Sequence, residues 1–149
     1  MEIHKFLSDN SDEILKTACA SLSRAKLKHY DCSAENENYL RLKKLLDLTA
    51  EAIERKNLLN LVNYMEETAK NRYYSGFDFS EVHSAINVLE ETIWHKINNS
   101  IKADELGEAL GLVSTVLGAA KESLALTYIS LSTRTKAPSL DLNALFERK

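Results

Sequence analysis

The chain is poor in the residues that punctuate structure: one proline and four glycines stand among 149 residues. An architecture of many short strands needs turn residues between them, so an all-β fold is excluded. Two cysteines, Cys19 and Cys32, are too few for a disulfide framework and read as small thiols in a reducing compartment. His29 stands three residues before Cys32, but no second close pair of ligands follows, so the usual two-pair zinc arrangement is missing. Neither sign of charge dominates. A net charge of −3 and a pI near 5.8 argue against nucleic acid as the main partner. No unbroken apolar run approaches ~18 residues, and residues 1–7 carry neither an apolar signal core nor a small-residue cleavage site. The expectation is a cytoplasmic chain without a membrane span.

What is present is an ordinary globular composition, 44% hydrophobic and 28% charged, which is not that of a disordered chain. At this length the default is one domain, able to bury roughly two-thirds of its unfolded surface without metal or disulfide staples. Apolar residues recur at helical spacing nearly throughout. A first helix is expected over residues 11–27, capped by Ser11, with Asp12 and Glu13 in its first turn and Ile14, Leu15, Ala18, Leu22 and Ala25 inward. A polar connection at residues 29–33 leads to a second helix over 34–55, and Lys56-Asn57 breaks it from a third over 58–73. No alternating strand of useful length occurs.

The strongest local signal is Gly76-Phe77-Asp78-Phe79-Ser80-Glu81-Val82. Gly76 is the only glycine outside the last long helix and suits the left-handed turn that ends a helix. Asp78 followed three residues later by Glu81 is a capping-box pattern, and Phe77 with Val82 occupies the two positions of a hydrophobic staple. A fourth helix therefore starts near Phe79, carries Val82, Ile86, Leu89, Ile93 and Ile97 inward, and is expected to break at Asn98-Asn99-Ser100.

The fifth helix, over residues 103–131, has two apolar stripes. Leu106, Leu110, Val113, Leu117, Ala120 and Leu124 form the first; Ala109, Leu112, Val116, Ala119 and Leu126 form the second. One stripe docks a helix on its own core, and two imply burial on two sides. Gly107, Gly111 and Gly118 make a third line, although each glycine costs a helix interior roughly 1 kcal/mol relative to alanine. Close approach of another helix is the compensation this pattern implies. The expected dimer interface is accordingly Gly107, Gly111, Leu112, Val116, Gly118 and Ala119. The short link between the last two helices predicts an antiparallel pair. After Leu131 the periodicity decays, leaving residues 132–149 as a tail in which 140–146 has the spacing of a short helix.

Catalytic constellations are missing from the sequence. No glutamate has a histidine three residues on, as carboxylate-bridged di-iron bundles require. Glu91 and His95, four apart, read as a surface ion pair, and His83 as a solvated or partner-facing histidine. No glycine-flanked serine or cysteine and no phosphate-cradling glycine loop occurs. Lys26, Lys28, His29 and Tyr30 form only a small basic group. Trp94, the sole tryptophan, reads as a half-buried core anchor, with a pocket wall or a dimer contact as the alternative.

Arg72, Gly76, Phe77, Val82 and the Ile93-Trp94 pair, with the helix order over about residues 10–130, resemble the N-terminal domain of stressosome co-antagonists of the RsbRD type. That resemblance implies an all-α, globin-like bundle of about five helices, related to sensor domains that have lost haem. It implies dimerisation through the last two long helices and relay of a signal to an output module or partner. Haem would need an axial histidine just before the penultimate helix. Residues 71–79 hold none, and His83 follows the cap, so no cofactor is expected. The expectation is thus a non-catalytic bacterial sensory domain over residues 1–131, either stand-alone or part of something longer. The alternative is a receptor whose apolar pocket, near Trp94, takes an acyl chain.

Overall fold

The computed structural model describes residues 2–25 and 35–133, and every described element is a helix. They are α1 (Ile3–Asp9), α2 (Ser11–Ala25), α3 (Glu35–Arg55), α4 (Leu59–Tyr74), α5 (Phe79–Ser100) and α6 (Ala103–Thr133). The architecture is an all-α helical bundle. Cys32, the basic group Lys26, Lys28, His29 and Tyr30, the connection at 29–33 and the expected helix at 140–146 lie outside the described residues.

The described residues form six helices where about five were expected, because the chain already turns helical at Ile3. Ile3 and Leu7, four apart, bury one face of α1, which lies on α3. A seven-residue helix cannot hold itself in water, so this packing is what forms it. It also displaces the expected cap. Asn10 occupies the junction, its Nδ2 donating to Phe6 O at 2.8 Å and its carbonyl accepting from Ile14 N–H at 3.0 Å. Ser11 becomes the first residue of α2, and its Oγ is buried with no hydrogen-bond partner among the described residues.

The break between α3 and α4 falls at Lys56, which takes the left-handed conformation with φ 51°. Asn57 then starts α4 through its side chain, Oδ1 accepting from Leu59 N–H at 2.9 Å. The α4–α5 junction is a two-bond helix stop. Gly76 N–H donates to Tyr73 O at 3.1 Å and Phe77 N–H to Arg72 O at 2.9 Å, with Gly76 at φ 87°. This is the Schellman arrangement, which leaves no room for a Cβ-bearing residue at low strain. Asp78 N–H donates to Glu81 Oε1 at 3.0 Å, forming the glutamate half of the expected capping box. Asn98-Asn99-Ser100 does not break α5; those residues form its exposed last turn.

α6 is the spine. At 31 residues it extends ~46 Å and packs on α3, α4 and α5. Its contact with α4 is more extensive than that with α5, its neighbour in sequence. Ser123 Oγ donates to Val62 O at 3.4 Å and Tyr73 Oη to Leu131 O at 3.3 Å, so α4 and α6 run in the same direction. α5 returns against α6 as a hairpin pinned by Lys121 Nζ on Glu90 Oε1 at 2.5 Å. On its other side α5 meets α2, where Lys96 Nζ reaches Glu13 Oε2 at 2.6 Å. Leu15, Leu22, Leu46, Leu61, Leu89, Ile93, Leu117 and Leu124 fill the space between the helices. Each such side chain contributes about 1.5–3 kcal/mol by leaving water.

Among the described residues α6 alone is long and apolar enough to cross a membrane, with a mean hydropathy of 1.3 over its most apolar stretch. No unbroken apolar run marks it, because Glu, Lys, Ser and Thr are scattered through the helix. Of that stretch 39% is buried against the chain's own helices.

Candidate functional site

Two regions of the surface depart from what folding alone requires. The first is the outer face of α6. The inner stripe Val113, Leu117, Ala120 and Leu124 is buried as expected, but the second stripe splits. Ala109 and Val116 turn inward, Val116 being only 5% exposed, because the seven residues between them make nearly two whole turns and set both on one side of the helix, next to Val113. Val116 therefore belongs to the chain's own core and is not on the face expected to pair. Leu112, Leu126 and Ile129 point outward, with Ala119 at the margin. Gly107, Gly111 and Gly118 are exposed, and a Cβ on any of them would meet nothing within 4 Å. Nothing inside the fold requires these glycines.

Trp94 stands beside this face. It is 43% exposed, and it lines neither of the cavities described below. The Glu90–Lys121 bond sets the level of α5 against α6. One turn nearer the hairpin, Trp94 on α5 falls level with Gly118 on α6.

The second region is built by the α4–α5 junction. The Schellman stop folds Phe77 back over the last turn of α4, setting the Arg72 guanidinium 5.5 Å from the Phe77 ring centroid. From α3 the Arg41 guanidinium reaches the same ring at 5.9 Å. Both arginines line a small cavity of about 40 Å³ among α3, α4 and α5, whose other walls include Leu42, Leu45, Met65, Val82, Ala85 and Ile86. Arg41 Nη1 and Arg72 Nε are buried and find no acceptor among the described residues. A buried donor left unpaired costs about 1–3 kcal/mol, and two cations over one ring repel each other. Glu37 lies 3.8 Å from Arg41 Nη2 and is itself exposed, which makes it a weak partner.

Tyr128 connects the two regions. Its Oη donates to Phe77 O at 2.8 Å, and its ring lies edge-on to Tyr73 at 5.6 Å and Phe79 at 5.8 Å. The loop that carries Phe77 is thereby tied to the last turns of α6.

A larger cleft of about 430 Å³ lies between α2 and α5. Lys96 there pairs with Glu13, the exposed His95 lies 3.7 Å from Glu91, the surface pair expected from sequence, and Arg24 Nη2 donates to Ser21 Oγ at 3.0 Å. His83 stacks on Phe79 at 5.3 Å. Among the described residues no three His, Cys, Asp or Glu side chains converge as metal ligands would. No family model, curated protein or solved structure matches this chain.

Sequence reasoning missed Arg41 as a site residue and quoted Arg72 only for its resemblance. A signal was available. Leu61, Met65, Thr68 and Arg72 continue one helical line, as do Arg41, Leu45 and Leu48, so each arginine takes a position where the apolar pattern calls for a core residue.

Proposed function

We propose that this chain is a non-catalytic sensory or regulatory domain of bacterial signal transduction, of stressosome or two-component type. It works in the cytoplasm, without a cofactor, on a globin-like bundle. It pairs with a second copy through the outer face of α6 and the adjoining edge of α5, and passes its state to an output module or partner. The observation that supports this reading is the open glycine line of α6. Gly107, Gly111 and Gly118 weaken the helix without serving any contact among the described residues, and Leu112, Leu126, Ile129 and, on α5, Trp94 are exposed as well. Two helices meeting there approach closely, and a two-fold dimer presents the patch twice. The Tyr128–Phe77 bond gives a route from the bundle interior to the end of α6. Sedimentation equilibrium of wild type and Gly111→Leu tests the pairing directly.

A second reading is that of a small-molecule receptor, favoured by the cavity at Arg41 and Arg72. The two readings are compatible, since a domain that senses a ligand requires both a pocket and an output surface.

A further inference from the structure

We propose that residues 140–146 dock on a row of aromatic rings at the α4–α5 end of the bundle, so that the chain covers this surface with its own C-terminal segment. Three observations converge. The first is the row itself. Tyr74, Tyr73, Tyr128, Phe79 and His83 follow one another ring to ring, with centroids 5.4, 5.6, 5.8 and 5.3 Å apart in that order. Tyr73 and Tyr128 are held from within, by hydrogen bonds to Leu131 O and Phe77 O. Tyr74 is 76% exposed and Phe79 37%, so the described helices leave the flanks of the row uncovered.

The second observation is where the chain leaves the bundle. Leu131, which accepts the Tyr73 bond, stands just before Thr133, the last residue of α6, and residues 134–149 follow in the sequence. The link over 134–139 spans at most ~20 Å at ~3.3–3.6 Å per residue, which brings 140–146 within reach of both Tyr74 and Phe79. The third is the composition of that segment. Leu142, Leu145 and Phe146 have the three- and four-residue spacing that sets apolar side chains on one helix face. Ser139 is placed to cap such a helix, and Asp141 falls in its first turn. A helix this short does not hold itself in water and needs a surface, as α1 needs α3.

Leucine and phenylalanine side chains bury most apolar area against rings, and the rings lie at the point of exit. The tether adds an effective concentration on the order of millimolar, so a contact of only millimolar affinity is already about half formed. Ile129 and Leu126 point away from Tyr128, by about 100° and 160° around α6. A segment seated on the rings therefore leaves the outer face of α6 free for a second copy. The inference goes beyond the proposed function and does not depend on pairing: a monomeric chain would dock its segment in the same way.

The test is nuclear Overhauser spectroscopy of the full chain, from the methyl groups of Leu142 and Leu145 to the ring protons of Tyr74 and Phe79. Contacts are expected in wild type and should persist when the protein is diluted tenfold. In an equal mixture of labelled and unlabelled chains they should not appear between chains. Leu142→Asp combined with Leu145→Asp should abolish them and speed amide exchange over residues 143–146 at least twofold, while the amide shifts of α2 and α5 stay those of wild type. Tyr74→Ala, at an exposed site of the bundle, should speed the same amides. Absence of any contact between segment and rings in wild type overturns the proposal. Contacts found only between chains overturn the intrachain assignment, and contacts to Leu126 or Ile129 in their place overturn the choice of surface. Exchange unchanged in both the double variant and Tyr74→Ala overturns the docking itself.

Discussion

Replacing Gly107, Gly111 and Gly118 with alanine separates what the glycines do for the chain from what they do for a partner. In the isolated chain each new methyl group meets open space, so no clash offsets the gain in helix propensity. That gain is about 1 kcal/mol per site, because alanine restricts the unfolded backbone more than glycine and shields the helix backbone. Gly111 and Gly118 are seven residues apart, ~10 Å along the helix, so their effects should add. The triple variant should therefore be more stable by about 3 kcal/mol, a rise in Tm of roughly 6–12 °C for a chain of this size. Urea unfolding followed by far-ultraviolet circular dichroism measures it, at a protein concentration low enough to keep the chain monomeric. Sedimentation of the same variant at higher concentration should show weaker self-association, since the added methyl groups hold two helices apart. A triple variant that is unchanged or less stable as a monomer refutes the claim that nothing inside the fold needs these glycines.

Other expectations follow from single contacts. Glu81→Ala should destabilise the domain by about 0.5–2 kcal/mol in urea titration, through loss of the bond from Asp78 N–H to a carboxylate only 5% exposed. Gly76→Val should lower stability by about 1–3 kcal/mol, because a β-branched residue is forced to φ 87°, and a Tm equal to wild type would contradict this. Leu117→Ala, at a fully buried site of α6, should cost about 2–5 kcal/mol by calorimetry. Glu90→Ala leaves the half-buried Lys121 without its partner and should cost about 1.5–3 kcal/mol, lessened in Glu90→Ala combined with Lys121→Met.

Much of the fold was legible because the chain states it locally. Gly76 and the Asp78–Glu81 pair define a helix stop and start within six residues, and the structure forms both there. The inward stripe of α6 was equally plain, since Val113, Leu117, Ala120 and Leu124 repeat at a period that one buried face must keep. The parts that escaped depend on neighbours. α1 is too short to show a period, and it exists because Ile3 and Leu7 find α3. Val116 reads as a second-face residue in a linear pattern, yet a helix packed on three others buries a wider arc than one stripe. Arg41 and Arg72 are 31 positions apart and come together only after the Schellman turn folds Phe77 back between them. No local spacing encodes that meeting.

The pairing of α6 is tested most directly by sedimentation equilibrium of the wild-type chain at tens of micromolar, run beside Gly111→Leu. The open space around Gly111 lets the leucine variant keep its fold, while its side chain stands in the path of a second helix. The account predicts a dimer for wild type and a monomer, or a dimer weakened at least tenfold, for a variant whose circular dichroism is unchanged. A monomeric wild type, or a Gly111→Leu variant that dimerises as tightly as wild type, contradicts it.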